Sequence, residues 1–321
     1  MIGLLYCFDE NYNVQSCVSI FSILENLNFK VDIHIIHKTE SFKNFLPLKI
    51  QNHKNVNEIY VYKFNKSDIK FYNLEDVHVS EATYYRLFLN NYIKTDAEYL
   101  FYVDGDIVCV NNFSDQLLDA IEKLKQSNYI ISAYTEYDED KGQELEMKGL
   151  ELSSNKYFNA GVMIIDYRQW RKSNVSYKLI KVLDEIKYKI KFWDQDVMNK
   201  YFDGEYVELE ESFNTRIWNI KEYDYNTINK IDQKKVFLIH YAGKFKPWQV
   251  KGSVQKASIF FQNNYSFLYN KYSFIQFTKR SNAIKQLLSC TFLKNQIRSD
   301  LNSMHLLIIL REVIFKRNIK N

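Results

Sequence analysis

Two carboxylates separated by one glycine, Asp104-Gly105-Asp106, follow the apolar run Tyr99-Leu-Phe-Tyr-Val103. Side chains two apart on an extended segment point to the same side, so both carboxylates can converge on one hard cation, and such a cation could bridge phosphate oxygens. The pattern equally suits a polar turn where a strand becomes a loop. His240 closes a second apolar run, in Phe237-Leu-Ile-His240-Tyr-Ala-Gly243-Lys-Phe-Lys246-Pro247-Trp248. An imidazole added to two carboxylates suits Mn²⁺ better than Mg²⁺, because nitrogen ligation favours the softer transition metal. Gly243 would let backbone approach a diphosphate and Lys246 would neutralise it. Taken alone, a histidine at a strand end reads as a hydrogen-bonded structural residue.

Two further segments carry polar groups at element boundaries. Tyr157-Phe-Asn159-Ala160-Gly161-Val-Met-Ile-Ile-Asp166 places an amide and a glycine just before a buried strand, and Phe192-Trp-Asp194-Gln195-Asp196 opens a short helical pattern. Their amides and carboxylates could bind sugar hydroxyls, and an acidic helix N-terminus accounts for the second equally well. The chain has only eight glycines and two prolines, yet Gly105, Gly161, Gly243 and Pro247 all fall in these segments. Such scarcity points to backbone geometry or close ligand approach at those positions.

These groups need a scaffold whose strands end in one place. Residues 2–8 read as a buried strand, followed by Val14, Cys17, Val18, Phe21 and Leu24 at helical spacing. Further strand-like runs occupy 31–37, 59–64, 99–103, 129–134 and 160–166, with helical patterns around 80–92, 115–126 and 174–190. Strands alternating with helices predict an α/β sandwich with a mostly parallel sheet and ligands beyond the carboxyl ends of the strands. Late strands at about 206–212 and 235–241 extend the expected sheet to about residue 250, giving a catalytic domain over 1–250 and a C-terminal segment over 251–321.

With 46% hydrophobic and 26% charged residues, the chain lies outside the disordered, collagen-like and disulfide-scaffold classes. Cys7, Cys17, Cys109 and Cys290 lack CxxC spacing, so neither a disulfide framework nor a thiolate zinc site is expected. No apolar run approaches the roughly 18 residues of a membrane span, and the start lacks the positive charge of a signal peptide. A reducing cytoplasm is therefore expected. Residues 244–321 hold 14 Lys and Arg against Asp300 and Glu312, a net +12, while the remainder carries −8. A basic segment on an acidic body favours an anionic partner.

In this order, Asp9 and Asn11 after the first strand, Arg86 in Thr83-Tyr-Tyr-Arg86-Leu, then DxD, FNAG, WDQD and HYxGxxKPW resemble glycosyltransferase family 8 over about residues 2–250. This retaining family includes bacterial lipopolysaccharide galactosyl- and glucosyltransferases and glycogenin. The resemblance implies a GT-A fold, a UDP-sugar donor (UDP-galactose or UDP-glucose), and Mn²⁺, with Mg²⁺ as the substitute, held by Asp104, Asp106 and His240. It further implies that Cys7, Asp9 and Asn11 contact the uridine or ribose. Gly105 lies between the metal ligands, and Gly243 and Lys246 hold the diphosphate. Arg86, Asn159, Asp194 and Gln195 line the donor sugar, and Ala160 belongs to the donor site beside Asn159. Glu136 stands closest to an Asp often found after the fifth strand of bacterial members, and Lys244 follows Gly243 where Pro is frequent.

For retention, the neutral amide of Gln195 is a poor nucleophile. Same-face transfer is expected, with Gln195 supporting the reacting centre, Asp194 positioning hydroxyls and Asp196 as the fallback nucleophile. The expected acceptor is a glycan or glycolipid such as lipooligosaccharide. Leu301, Met304, Leu306–Leu310, Val313 and Ile314, bracketed by Arg298, Arg311, Lys316 and Arg317, suggest an interfacial helix on an anionic membrane; the other reading is a terminal helix packed on the protein. Phe260, Phe261, Tyr265, Phe267, Tyr269, Tyr272, Phe274 and Phe277 among lysines could stack nucleic-acid bases, but no nucleic-acid motif accompanies them and none is expected to bind. A nucleotidyltransferase on a related scaffold, or a non-catalytic glycan-binding protein, would also suit parts of this pattern.

Overall fold

The computed structural model describes residues 2–65, 71, 80–136, 149–217, 235–243, 246–255, 257–292 and 303–315, without the side chains of 290–292 and 303–306. Two compact units form: Met1–Cys17, Leu27–Gly105 and Phe113–Asn214 in the first, and Val18–Asn26, Asp106–Asn112 and Thr215–Asn321 in the second.

The first unit is built on β1 (Ile2–Phe8), β2 (Val31–His37), β3 (Val56–Lys63), β4 (Tyr99–Val103), β6 (Ile131–Thr135), β7 (Phe158–Asp166) and β8 (Val207–Glu208), in the order β3-β2-β1-β4-β7-β6-β8. β1 pairs in parallel with β2 and β4, β2 with β3, and β6 with β8; β7 alone runs antiparallel, between β4 and β6. The mixed α/β architecture with a mostly parallel sheet is the one the sequence predicts. Near-continuous apolar runs give β1 and β4 their central places, since both faces of a central strand are covered. Every residue of β4 is buried.

Helix α1 (Asn13–Glu25) follows β1. In the first unit, helix α2 (Ser114–Gln126) covers β6 and β7, while α3 (Val175–Ile186) and α4 (Trp193–Phe202) pack together. Their apolar faces join a core that runs from Leu5 and Tyr102 through Tyr85, Met163 and Trp170 to Leu183 and Met198. The helical pattern around 80–92 forms mainly a 3₁₀ helix, Glu81–Phe88, continued by Leu89–Tyr92. Ser80 starts it by accepting the Ala82 N–H at 3.3 Å.

Three expectations change. The strand at 235–241 does not extend the main sheet: β10 (Leu238–His240) joins a separate three-stranded sheet, antiparallel to β5 (Ile107–Cys109) and parallel to β9 (Thr215–Arg216). The late strand at 206–212 shortens to Val207–Glu208. FNAG, expected before its strand, forms the start of β7. There the pairing with β6 breaks: β6 advances one residue, Ala133 to Tyr134, while its partner moves from Met163 to Asn159.

The second unit carries that small sheet with α5 (Ser258–Tyr269), α6 (Arg280–Phe292) and α7 (Ser303–Phe315). Val250, Val254, Ile275, Ala283, Leu287, Ile309 and Val313 form its separate apolar cluster. The apolar band of the terminal helix thus divides: Ile309 and Val313 face protein, while Leu307, Ile314 and Phe315 are exposed. Leu301, Arg298, Lys316 and Arg317, and the side chains of Met304 and Leu306, lie outside the described residues.

Candidate active site

Topology brings the first unit's polar residues to one sheet edge. The parallel strands β1 and β4 end there, at Asp9 and Asp104, and antiparallel β7 begins there with Asn159, Ala160 and Gly161. The Asp104 N–H donates to Gly161 O at 2.9 Å, and the Glu136 N–H, after β6, donates to Tyr157 O at 2.8 Å.

Arg86 sits at the centre of this group, 5% exposed. Its guanidinium donates to Asp104 Oδ1 at 2.9 Å and to Ala160 O at 2.5 Å, pairs with Asp194 Oδ2 at 2.8 Å, and lies 4.2 Å from the centroid of the Tyr102 ring. Arg86, expected to line the sugar, is tied to two carboxylates, which it holds as a planar fork holds two acceptors. The Tyr102 hydroxyl donates to the same Asp104 oxygen, and Thr83 Oγ1 donates to Asp194 Oδ1, each at 2.5 Å. Burial pushes the Asp194 carboxyl up to about 6, against the pull of Arg86 and Thr83. Arg86, shared with Asp104, cannot fully neutralise both acids. Cys7 is buried in β1, and burial pushes its thiol pKa well above the ordinary range.

Asn159 donates from Nδ2 to Glu136 Oε1 at 2.7 Å, while its Oδ1 accepts from the Gly161 N–H and from Asn214 Nδ2, both at 2.9 Å. This fixes the orientation of its amide and places Glu136 in the cluster. Gln195 Oε1 accepts the Ala160 N–H at 3.0 Å. Asp9 accepts the Asn11 N–H at 3.0 Å and caps the turn Glu10–Tyr12. Asp196 is fully buried and accepts from the Tyr157 hydroxyl at 2.5 Å and from the Lys191 and Phe192 N–H groups at 2.7 and 2.8 Å. Those bonds define it as a structural residue that holds the turn before α4, in which Trp193 adopts φ +51°. The fallback role of nucleophile does not suit a carboxylate so engaged.

In the second unit, the β5–β10 register places His240 opposite Ile107, so His240 Nε2 lies 3.4 Å from Asp106 Oδ1. Asp106 Oδ2 receives Lys246 Nζ at 2.5 Å, and Lys246 also donates to Tyr241 O at 2.6 Å. Burial alone would raise the Asp106 pKa, but Lys246 and His240 hold it well below the usual carboxylate range. Buried Trp248 packs on Phe261, 5.1 Å between centroids, and Pro247 O accepts Gln262 Nε2 at 2.9 Å. The KPW end of the motif is thereby anchored to α5. Gly243 is exposed with φ +76°, a conformation that favours glycine. Lys244 lies outside the described residues.

In the second unit Asp106 and His240 offer a carboxylate oxygen and an imidazole nitrogen to a metal, and Asp104 stands two residues before Asp106 in the chain. Among the described residues, buried Asp106 Oδ1 has no hydrogen-bond partner and faces His240 Nε2 at 3.4 Å, so this pairing of carboxylate oxygen and imidazole nitrogen fits a divalent cation. Thr83, Tyr102, Tyr157, Asn199 and Asn214 belong to the network but were not picked out from sequence. Only Asn199, four residues beyond Gln195 on the same helical face, left a spacing signal there.

The solved galactosyltransferase LgtC, in complex with donor and acceptor sugar analogs, superposes with a TM-score of 0.69 at 21% identity, covering 84% of this chain and 96% of that one, which establishes the GT-A fold. The lipopolysaccharide 1,2-glucosyltransferase of Escherichia coli K12 is 28% identical over 254 residues, 77% of this chain and 72% of that protein. The lipopolysaccharide 1,3-galactosyltransferase of Salmonella typhimurium LT2 is 28% identical over 183 residues, 56% and 53%. The model for Glycosyl transferase family 8 matches residues 3–252. The chain belongs to glycosyl transferase family 8 and is a glycosyltransferase.

Proposed function

We propose that this enzyme moves a hexose, galactose or glucose, from a UDP-sugar to a glycan acceptor such as lipooligosaccharide or cell-surface polysaccharide, with retention at C1. The observation that carries this reading is the buried Asp106 oxygen beside His240, in a cluster that also holds Lys246. Asp104, Asp106 and His240 would hold a divalent cation, for which the mixed oxygen and nitrogen donors favour Mn²⁺ over Mg²⁺. When bound, the cation supplies Lewis-acid stabilisation of the departing diphosphate.

The chain's own residues account for the rest. Asp9 and Asn11, at the end of β1, meet the nucleoside, and Lys246 exchanges its contact with Asp106 for the diphosphate oxygens as negative charge develops there. Arg86 keeps Asp104 and Asp194 in register while Asp194, Asn159 and Glu136 receive sugar hydroxyls. The bond from C1 to the β-phosphate oxygen breaks with its electron pair leaving on UDP. The acceptor hydroxyl then bonds C1 on the same face and passes its proton to the departing phosphate oxygen. Gln195 Oε1 already accepts the Ala160 N–H, which supports a role in holding the reacting centre rather than attacking it.

The test is UDP release from a panel of UDP-sugars with Mn²⁺, magnesium or EDTA, beside Asp104→Ala and His240→Ala. Mn²⁺-dependent hydrolysis of one UDP-hexose that both variants lose supports the reading. Pyrophosphate release, or absence of any Mn²⁺-dependent UDP binding, overturns it.

We further propose that the enzyme works peripherally on the inner face of the cytoplasmic membrane. The exposed Leu307, Ile314 and Phe315 of α7, exposed Ile284 and Leu288 of α6, and the net +12 of residues 244–321 support this. Flotation with vesicles should require anionic lipid and fall for Leu307→Ser/Phe315→Ser. Equal flotation with neutral lipid, or no effect of the double variant, removes the proposal.

A further inference from the structure

β4 ends its pairing at Val103–Val162, and β7 continues four residues beyond it, through the break in its β6 register. Backbone donors and acceptors buried there require partners. Side chains supply them. Asn199, 1% exposed on α4, accepts the Phe158 N–H at 2.8 Å and donates to Phe158 O at 2.9 Å, so one amide takes both hydrogen-bonding groups of one strand residue. Its Nδ2 also donates to Gln195 O at 2.9 Å. One turn earlier on the same helical face, Gln195 receives the Ala160 N–H, and Arg86 donates to Ala160 O.

We infer that Asn199 is a positioning residue for transfer: in place of a neighbouring strand, it fixes the register between α4, which carries Asp194 and Gln195, and the start of β7, which carries Asn159. Asn199 acts through Gln195 and Phe158 and touches no substrate. The two-point clamp matters because, without it, the one direct bond among the described residues from an α4 side chain to the β7 backbone is that of Gln195 to Ala160; Asp196 holds the Tyr157 hydroxyl just before the strand, and Asp194 reaches Ala160 only through Arg86. A displacement near 1 Å at reacting groups lowers turnover by about 10²-fold. The inference rests on the proposed transfer of a UDP-hexose for its kinetic consequence, but not for its geometric one.

The experiment compares wild type, Asn199→Ala and Leu183→Ala. Leu183 is buried in α3 and belongs to the same core as Val197 and Met198, so its truncation destabilises that core without touching the clamp. Amide hydrogen exchange reads the clamp directly. In Asn199→Ala, peptides covering 158–160 should exchange at least tenfold faster while 163–166, paired on both sides, stay protected; Leu183→Ala should leave 158–160 protected. With the UDP-hexose that wild type turns over, kcat should fall about 10²-fold in Asn199→Ala with UDP affinity unchanged. Leu183→Ala should keep its kcat despite a lower melting temperature. Unchanged exchange at 158–160 overturns the inference, as does equal loss of kcat in the two variants at matched stability. If wild type turns over no nucleotide sugar, the proposed function fails, and the exchange comparison still decides the clamp.

Discussion

Adding one methyl group at Gly105 should disrupt the turn that bears Asp104 and Asp106, and removing one oxygen from Ser16 should restore it. Gly105 lacks the left-handed backbone seen at Gly204 and Gly243; close packing is what demands a glycine there. A Cβ on Gly105 would lie 2.3 Å from Ser16 Oγ, and 3.4 Å from both Ser16 Cβ and Tyr12 Cδ1. Ordinary carbon–oxygen contact begins about 1 Å further out, and Ser16 is fully buried on α1. Either the hydroxyl is forced into another rotamer or the turn bearing Asp104 and Asp106 moves away. Overpacking of this kind costs about 1–3 kcal/mol, and a shift of about 1 Å in the carboxylates lowers turnover by about 10²-fold. Among the described residues Ser16 Oγ has no hydrogen-bond partner, so Ser16→Ala alone should be close to neutral. In Gly105→Ala/Ser16→Ala the nearest remaining atoms stand at 3.4 Å, an ordinary contact, and most of the loss should return. Denaturant unfolding and calorimetric UDP binding with Mn²⁺ measure the cycle, whose coupling should reach about 1–3 kcal/mol. A Gly105→Ala protein with wild-type stability and binding, or a double variant no better than that single one, refutes the packing argument.

Asp196→Ala removes the acceptor of the Tyr157 hydroxyl and of two backbone N–H groups, and should cost about 3 kcal/mol in denaturant unfolding. Intact-mass analysis of wild type during turnover should show no glycosyl adduct on Asp196; an adduct would restore it as the nucleophile. Arg86→Ala leaves buried Asp194 and half-buried Asp104 without their shared cation and should destabilise by about 3 kcal/mol, whereas Arg86→Lys keeps the charge but not the fork and should fold with strongly reduced turnover. Equal stability of the Ala variant and wild type would show the fork to be dispensable. His34 is fully buried in β2, and burial lowers its pKa from 6.5 to about 4. The unfolded chain therefore binds the extra proton between those values, so stability rises with pH from about 4 to 6.5 and is level above. The His34 contribution is about 3 kcal/mol, and unfolding of His34→Phe across that range should lack this part of the slope.

Local patterning made the main sheet readable. β1, β2 and β4 are apolar runs long enough to be strands and too short to be helices, and the structure keeps their limits at 2–8, 31–37 and 99–103. The second sheet was not readable for the same physical reason. β5 has three residues, begins one residue after the DxD, and finds its partner β10 about 130 residues later. Nothing in the local pattern of either segment encodes that pairing. Residue type and spacing also brought out the carboxylates, but not their commitments. The sequence does not show that Asp104 and Asp194 share Arg86, and Asp196 resembles Asp194 in sequence although three protein donors already occupy it.

The sheet edge proposed to carry the chemistry is also the place where the fold would otherwise leave backbone groups unpaired. β4 stops at Val103, β7 runs on to Phe158, and the break in its β6 register separates Ala160 from regular strand pairing. Burying those peptide groups without partners would cost about 1–3 kcal/mol each. Arg86, Gln195 and Asn199 meet that demand with side chains, and so gather a guanidinium and two amides where sugar and diphosphate are expected to lie. On the proposed function Arg86 and Gln195 serve the donor as well as the backbone, so substitution at either mixes the two effects. Stability alone cannot separate them, nor can turnover alone. Amide exchange at 158–160 reports the backbone demand and UDP affinity reports the nucleotide contacts. A loss of kcat that leaves both unchanged is what a direct role at the reacting carbon would produce.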